Sequence, residues 1–282
     1  MSTDRCTLAE RSLGLSQEKE LGGLLLPVQT YSLQGRTAVI TGGNRGIGFA
    51  LAQALVGEGC HVVIAGRDTE RLKAAQQALS VGSAEVEALN VDLCDTEAVQ
   101  KFAAAIQARY PTVDILVNSA GVAHLPAPVV QFSIETWKQV VDTDLTGMFL
   151  CTRACLPLMP AGGTIVNVLS IASIQAFPFN SAYHASKYGS LGFTNSLREE
   201  LRGRGIRVVA LLPGAVDTEM WNQYGSGVPR EKMLSPATLA ETFLHVVTRP
   251  AKCTIEEIRI GPVLGLGIFA AESSSNQESR KA

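Results

Sequence analysis

The feature that most constrains this chain is an alternation of short, β-branched apolar runs with longer segments of helical periodicity, sustained from Thr37 to Ile260. The expected strands are TAVIT (37–41), HVVIAG (61–66), VEALNV (86–91), VDILVN (113–118), GTIVNVL (163–169), IRVVALL (206–212) and TIEEIRI (254–260). Several are almost continuously apolar, the pattern of parallel strands covered on both faces. Between them, DTERLKAAQQALS (68–80) and DTEAVQKFAAAIQARY (95–110) each open on an aspartate placed to cap a helix. Parallel neighbours need crossover helices, so the expected fold is α/β, a doubly wound, mostly parallel seven-stranded sheet with helices on both faces. Ligands of such sheets sit beyond the carboxyl ends of the strands, and functional residues are sought there.

With 282 residues, 46% of them hydrophobic, the chain can bury a sizeable core, and disorder throughout is excluded. Residues 32–264 read as one domain, preceded by a flexible or docking extension (1–31) and followed by a tail (265–282) with a Ser-, Gln- and Lys-containing end expected to be disordered. The net charge of −2 is spread without a basic block, which argues against nucleic acid and anionic membrane surfaces and for a small neutral or anionic partner. No apolar run is long enough for a membrane span, and the acidic N-terminus does not read as a secretory signal. The six cysteines form no CxxC pair and no cluster with histidine, so metal is not expected. Cys60, Cys94, Cys151 and Cys155 read as reduced, buried thiols, which suits a cytoplasmic location, with an organelle address in the extension left open.

Directly after the first strand comes TGGNRGIG (41–48). Gly42, Gly46 and Gly48 allow a tight turn, close approach of backbone to a pyrophosphate, and close packing of helix on strand. An acid at the end of the second strand would bind an adenosine ribose; here IAGRD (64–68) offers Gly66 and Arg67 instead. Arg67 and Arg45 can converge on a ribose 2′-phosphate, which favours NADP(H) over NAD. Asp68 reads as the cap of the next helix.

In NSAYHASKYGS (180–190), Tyr183 and Lys187 stand four apart and so share a helix face. A free tyrosine titrates near pH 10 and is a poor proton donor near neutrality, whereas an adjacent ammonium favours its phenolate. Ser170 lies thirteen residues upstream at the end of GTIVNVLS, where its hydroxyl can hold a carbonyl oxygen beside that phenol.

Together TGGNRGIG, NSAG (118–121), Ser170, YHASK (183–187) and PGAVDT (213–218) resemble the classical short-chain dehydrogenase/reductase (SDR) family in its NADP-preferring form, over roughly residues 32–262. The resemblance implies a Rossmann fold. It implies that Tyr183 protonates a carbonyl oxygen, that Lys187 makes the phenol a better acid and binds the nicotinamide ribose, and that Ser170 orients the substrate. Cofactor contacts are implied for Gly42, Asn44, Arg45, Gly46, Ile47, Gly48, Arg67, Asp92, Leu93, Asn118, Ala120, Gly121, Pro213, Gly214, Val216 and Thr218, besides Tyr183 and Lys187. Two departures stand out. Asp144, in DLTG (144–147), replaces the family's asparagine, and can either support the water relay through its backbone or pair with Lys187 and partly cancel its charge. Ser119 replaces the second asparagine of NNAG, a substitution expected to be tolerated.

The segment EMWNQYGSGVPREKML (219–234) reads as a loop over the substrate cleft, with Met220, Trp221 and Tyr224 available to an apolar substrate, or with Trp221 anchoring the loop. Further pocket walls are His124, Leu169, Phe177 and Phe179. His184 reads as a packing or surface residue. The resemblance implies a homodimer or homotetramer seam on the helices near 144–160 and 181–203, with Ala154, Cys155, Leu158, Leu191, Phe193 and Leu197 as candidates. The expected function is NADPH-dependent reduction of a ketone or aldehyde with a hydrophobic body, reversible as alcohol oxidation. The rival is a non-catalytic NADP-binding regulatory or scaffold protein of the same fold.

Overall fold

In the computed structural model, which describes residues 31–224, 229–250 and 252–263, seven parallel strands form one sheet in the order β3-β2-β1-β4-β5-β6-β7. They are β1 (Thr37–Thr41), β2 (His61–Gly66), β3 (Val86–Asn90), β4 (Ile115–Asn118), β5 (Thr164–Val168), β6 (Arg207–Pro213) and β7 (Glu257–Ile260). Among the described residues every strand pairing is parallel. Strand order turns back between β1 and β4, and such a switch point opens a crevice at the carboxyl ends.

The helices are α1 (Gly46–Gly57), α2 (Thr69–Leu79), α3 (Thr96–Arg109), α4 (Ile134–Val141), α5 (Gly147–Cys155), α6 (Ser181–Arg202), α7 (Met220–Tyr224) and α8 (Pro236–Val247). Side chains of a strand alternate between faces. Ile40 and Val62 accordingly join Leu51 and Phe243 in one core, while Val39 and Val63 join Phe102 and Leu116 in the other. Each such side chain, fully withdrawn from water, contributes about 1.5–3 kcal/mol. The two expected caps form, Asp68 accepting from Arg71 N–H and Asp95 from Glu97 and Ala98 N–H; Ser235 also caps α8, accepting from Thr238 N–H with Pro236 at the first helical position.

Several details depart from the sequence expectation: β7 begins at Glu257 and not at Thr254, and β3, β5 and β6 differ by one residue at one or both ends. β4 begins at Ile115, two residues later than expected, although Asp114 still borders β1, its N–H donating to the Thr37 carbonyl at 2.9 Å and its carboxylate accepting from Thr37 N–H at 3.0 Å. Cys94, expected buried, is exposed in the turn where its N–H donates to the Asp92 carboxylate, while Cys60, Cys151 and Cys155 are buried free thiols. The 219–234 segment is partly helical, as α7 and a short 3₁₀ turn at Arg230–Lys232. The N-terminal extension up to residue 30, the tail from 264 and the side chain of Tyr224 lie outside the described residues. Among the described residues no helix is long and apolar enough to cross a membrane.

Candidate active site

The glycine turn shapes one wall of the switch-point crevice. Gly42 and Gly46 have φ of +66° and +56°, which side-chain-bearing residues adopt at a cost. A Cβ on Gly48 would stand 2.3 Å from the Gly42 carbonyl oxygen, so α1 can begin against the turn only because that side chain is missing. The neighbouring loop is tied in by Thr41, whose hydroxyl accepts from Ser119 and Ala120 N–H at 3.1 and 3.2 Å.

A cleft of about 770 Å³ runs from this turn along the carboxyl ends of the strands. That is within the usual range for a ligand site. Every nominated cofactor residue except Asn118 lines it, including both Arg45 and Arg67. Asn118 instead turns into the interior, donating to the Thr152 hydroxyl at 3.0 Å and to the Asn167 carbonyl oxygen at 2.8 Å. From there a buried polar chain continues through Thr194 and Ser190 to the backbone oxygen of Asp144.

Tyr183 and Lys187, one helical turn apart on α6, both face the cleft, as does Ser170 beyond the end of β5. The Ser170 hydroxyl accepts from Ala172 N–H at 3.1 Å, which leaves its own proton available to a ligand. The Lys187 ammonium lies 5.4 Å from the centre of the Tyr183 ring. It is also 3.0 Å from Asp144 Oδ2, with side-chain exposures of 6% and 0%. Asp144 sits in a π turn (Asp142–Thr146) between α4 and α5, a local widening frequent at functional sites. Its Oδ1 accepts from Val122 N–H at 2.8 Å, and a Cβ on Gly121 would meet both partners of the ion pair within 3.4 Å.

Burial is the largest influence on Asp144 and raises its carboxyl above the ordinary range, against the pull of Lys187 and Val122 N–H. For Lys187, burial pulls the ammonium down, but Asp144 and Tyr183 together outweigh it and leave it above an ordinary lysine. The two directions differ in what they favour, a neutral carboxyl and a charged ammonium. Lys187 therefore stays protonated, and Asp144 is the member of the pair that titrates first on acidification.

Of the residues expected in a substrate pocket, His124, Leu169, Phe177, Met220 and Trp221 line the cleft. The Trp221 indole N–H also donates to the Val216 carbonyl at 2.8 Å, so the side chain anchors the loop while facing the cleft. Phe179 does not join them; it is 57% exposed at a φ of +65°. His184, expected to serve packing, makes two hydrogen bonds to the loop before α6. Sequence reasoning also missed Arg71 and Glu219, which line the cleft and meet across it at 2.9 Å. Arg71 was findable, four residues after Arg67; Glu219 lies 148 residues further on, and no local pattern links them. Of the seam candidates, Cys155 and Leu197 are core residues, and the exposed aromatics on those helices are Phe149 and Tyr188.

Comparisons with known proteins agree with this geometry. The family model described as short chain dehydrogenase matches residues 36–228. An uncharacterized oxidoreductase of Staphylococcus saprophyticus is 32% identical over 234 residues, 82% of this chain and 99% of that protein. Among solved structures, an alcohol dehydrogenase from the archaeon Thermococcus sibiricus, complexed with 5-hydroxy-NADP, superposes with a TM-score of 0.76 at 26% identity, over 82% of this chain and 98% of that one. A metagenomic short-chain oxidoreductase in complex with NADP gives 0.72 at 32% identity, over 83% and 100%. An actinorhodin polyketide ketoreductase variant with NADPH gives 0.74 at 30%, over 83% and 98%.

Proposed function

Because the chain belongs to the short-chain dehydrogenase family, we propose that it is an NADPH-dependent carbonyl reductase, reversible as an alcohol dehydrogenase, acting on a ketone or aldehyde with a hydrophobic body. The observation that carries this reading is the meeting of Ser170, Tyr183 and Lys187 in the cleft that also holds the glycine turn. The cleft fits the cofactor: the turn excludes any Cβ at Gly48, the helix N-terminus of α1 opens toward the phosphate position, Arg67 stands where an acid would select NAD, and Arg45 lines the same cleft from the glycine turn. NADP or NADPH is bound in four of the similar structures, and 5-hydroxy-NADP in a fifth.

When bound, the nicotinamide supplies the hydride in reduction and takes it back in oxidation. The chain's own residues handle the oxygen. Ser170, its lone pair engaged by Ala172 N–H, donates a hydrogen bond to the carbonyl oxygen, keeping its own proton, and holds that oxygen beside Tyr183. Tyr183 delivers its phenolic proton to that oxygen as the alcohol forms, and accepts it back in the reverse direction. Lys187, kept charged, favours the phenolate left behind. Apolar walls from Leu169, Phe177 and Met220 exclude water and favour a hydrophobic substrate body. A second copy of the chain docking on α5 and α6, through Phe149 and Tyr188, accounts for the exposed aromatics there.

The test is oxidation of NADPH and of NADH by purified protein against ketones, aldehydes and 3-oxoacyl esters, with Tyr183→Phe alongside. Turnover preferring NADPH and lost in the variant, with cofactor binding retained, supports the reading. Saturable NADPH binding without turnover on any compound favours the non-catalytic alternative.

A further inference from the structure

His184 follows Tyr183 directly, half-buried on α6. Its Nδ1 lies 2.9 Å from the Ala172 carbonyl oxygen, and its Nε2 lies 2.8 Å from the backbone nitrogen of Phe177. A carbonyl can only accept and a backbone N–H can only donate. The ring is therefore neutral, with its proton on Nδ1 and its lone pair on Nε2. One imidazole thus spans the loop between β5 and α6 from residue 172 to residue 177.

Both ends of that span matter to the cleft. Ala172 is the residue whose N–H engages the Ser170 hydroxyl, so fixing its carbonyl also fixes the partner that aims the Ser170 proton. Phe177 lines the cleft, and its ring packs 5.4 Å from the imidazole, centre to centre. Two residues later the backbone passes through Phe179 at a φ of +65°, a strained conformation for a non-glycine residue that persists only where its surroundings over-determine it. The imidazole clip on one side, and the bond from Ala127 N–H to the Phe179 carbonyl at 2.9 Å on the other, supply that determination.

We propose that His184 is a positioning residue: it locks the Ser170 hydroxyl and the Phe177 wall to the helix that carries Tyr183, and so sets the distance between the reacting oxygen and the substrate body. The proposal rests on the reading that Ser170 and Tyr183 handle the substrate oxygen. His184 is not among the residues that line the cleft, and in this proposal it acts through the loop.

The test compares His184→Phe, which keeps an aromatic ring but loses both hydrogen bonds, with His184→Gln, which keeps one donor and one acceptor. Steady-state kinetics use the best carbonyl compound of the panel above, and amide hydrogen exchange is followed in the NADPH-bound full chain. In His184→Phe, KM for the carbonyl compound is expected to rise roughly tenfold. Exchange across 172–179 should quicken by a similar factor, while NADPH affinity and exchange along α6 stay unchanged. His184→Gln should recover most of both effects. A His184→Phe variant with native KM and kcat overturns the proposal whatever its exchange shows, as does equal loss in both variants accompanied by weaker NADPH binding. If the native chain turns over no carbonyl compound, the catalytic reading itself falls and takes the positioning role with it; native turnover with an unaffected His184→Phe removes the clip alone.

Discussion

The Lys187 ammonium is held 3.0 Å from a fully buried carboxylate, that of Asp144, and not by solvent. The cation that favours the Tyr183 phenolate is therefore partly offset, and the offset has a sign that can be followed with pH. Burial raises the Asp144 carboxyl, so on acidification it takes up a proton before an exposed carboxylate does. Alcohol oxidation needs the phenolate and rises with pH. In Asp144→Asn, which carries no offset at any pH, that rise is expected at lower pH than in the native chain. The gap should close on acidification through the raised carboxyl value, where native Asp144 is neutral as well. Parallel pH–rate profiles of the two proteins check this; coincident profiles would show that the carboxylate does not bear on the phenol.

The same pair predicts a stability difference between two substitutions. Asp144→Ala leaves Lys187 buried without a counter-charge and strips Val122 N–H of its acceptor, for an expected loss of about 3–5 kcal/mol. Asp144→Asn retains an acceptor for Val122 and fills the same volume, and is expected to be more stable than the alanine variant by about 1 kcal/mol or more. Urea unfolding of the three proteins, with equal m-values, measures the difference.

How much of this was legible in the chain itself differs by level. β1 and β2 have the bounds their β-branched runs imply, and the glycine turn falls between β1 and α1, because both are decided by local residue types. Ser170, Tyr183 and Lys187 were legible because strand ends and helical spacing are local too. The resemblance gives Asn118–Gly121 both a sheet-supporting and a cleft-lining role; Asn118 takes only the first, since the packing of α5 and β5 offers its amide the partners Thr152 and Asn167. The Asp144 pairing was one of two options in the sequence; choosing between them needed the π turn that brings its carboxylate to α6. The Glu219 pairing with Arg71 joins segments 148 residues apart, and the His184 bonds run to an irregular loop just before α6, and neither arrangement is encoded by periodicity.

Gly48 gives a prediction from geometry alone. Its substitution by alanine puts a Cβ 2.3 Å from the Gly42 carbonyl oxygen and 3.2 Å from Gly43 Cα, so backbone must shift. Overpacking of that kind costs about 1–3 kcal/mol, and here the displaced backbone is the turn proposed to cradle the pyrophosphate. Gly48→Ala is expected to stay folded but to lose affinity for NADPH and NADH alike. Titration calorimetry with both cofactors checks it, and loss confined to one of them would contradict the shared role of the turn.

Arg45 and Arg67 predict the opposite pattern. If they meet a 2′-phosphate, Arg67→Ala should weaken NADPH binding by roughly tenfold to a hundredfold, the range for hydrogen bonds to a charged group, and leave NADH binding nearly unchanged. The native preference for NADPH should also shrink as salt is added, because cleft-lining charges open to solvent are screened. An Arg67→Ala variant that loses both cofactors equally would show the residue to be structural.

Asn118 separates a scaffold role from a cofactor role. Asn118→Ala leaves Asn167 Oδ1 without the N–H it receives at 2.8 Å and removes the partner of the Thr152 hydroxyl, both within the interior. Orphaning buried polar groups costs about 1–3 kcal/mol, which for a chain of this size lowers the melting temperature by roughly 2–4 °C per kcal/mol. Because the side chain faces away from the cleft, KM for NADPH is expected to stay within about twofold of native, a change under 0.5 kcal/mol. Calorimetric melting and cofactor kinetics on one preparation decide the matter: a large rise in KM with an unchanged melting temperature would return Asn118 to the cofactor site, and the reverse result fixes it as the polar pin between β4, β5 and α5.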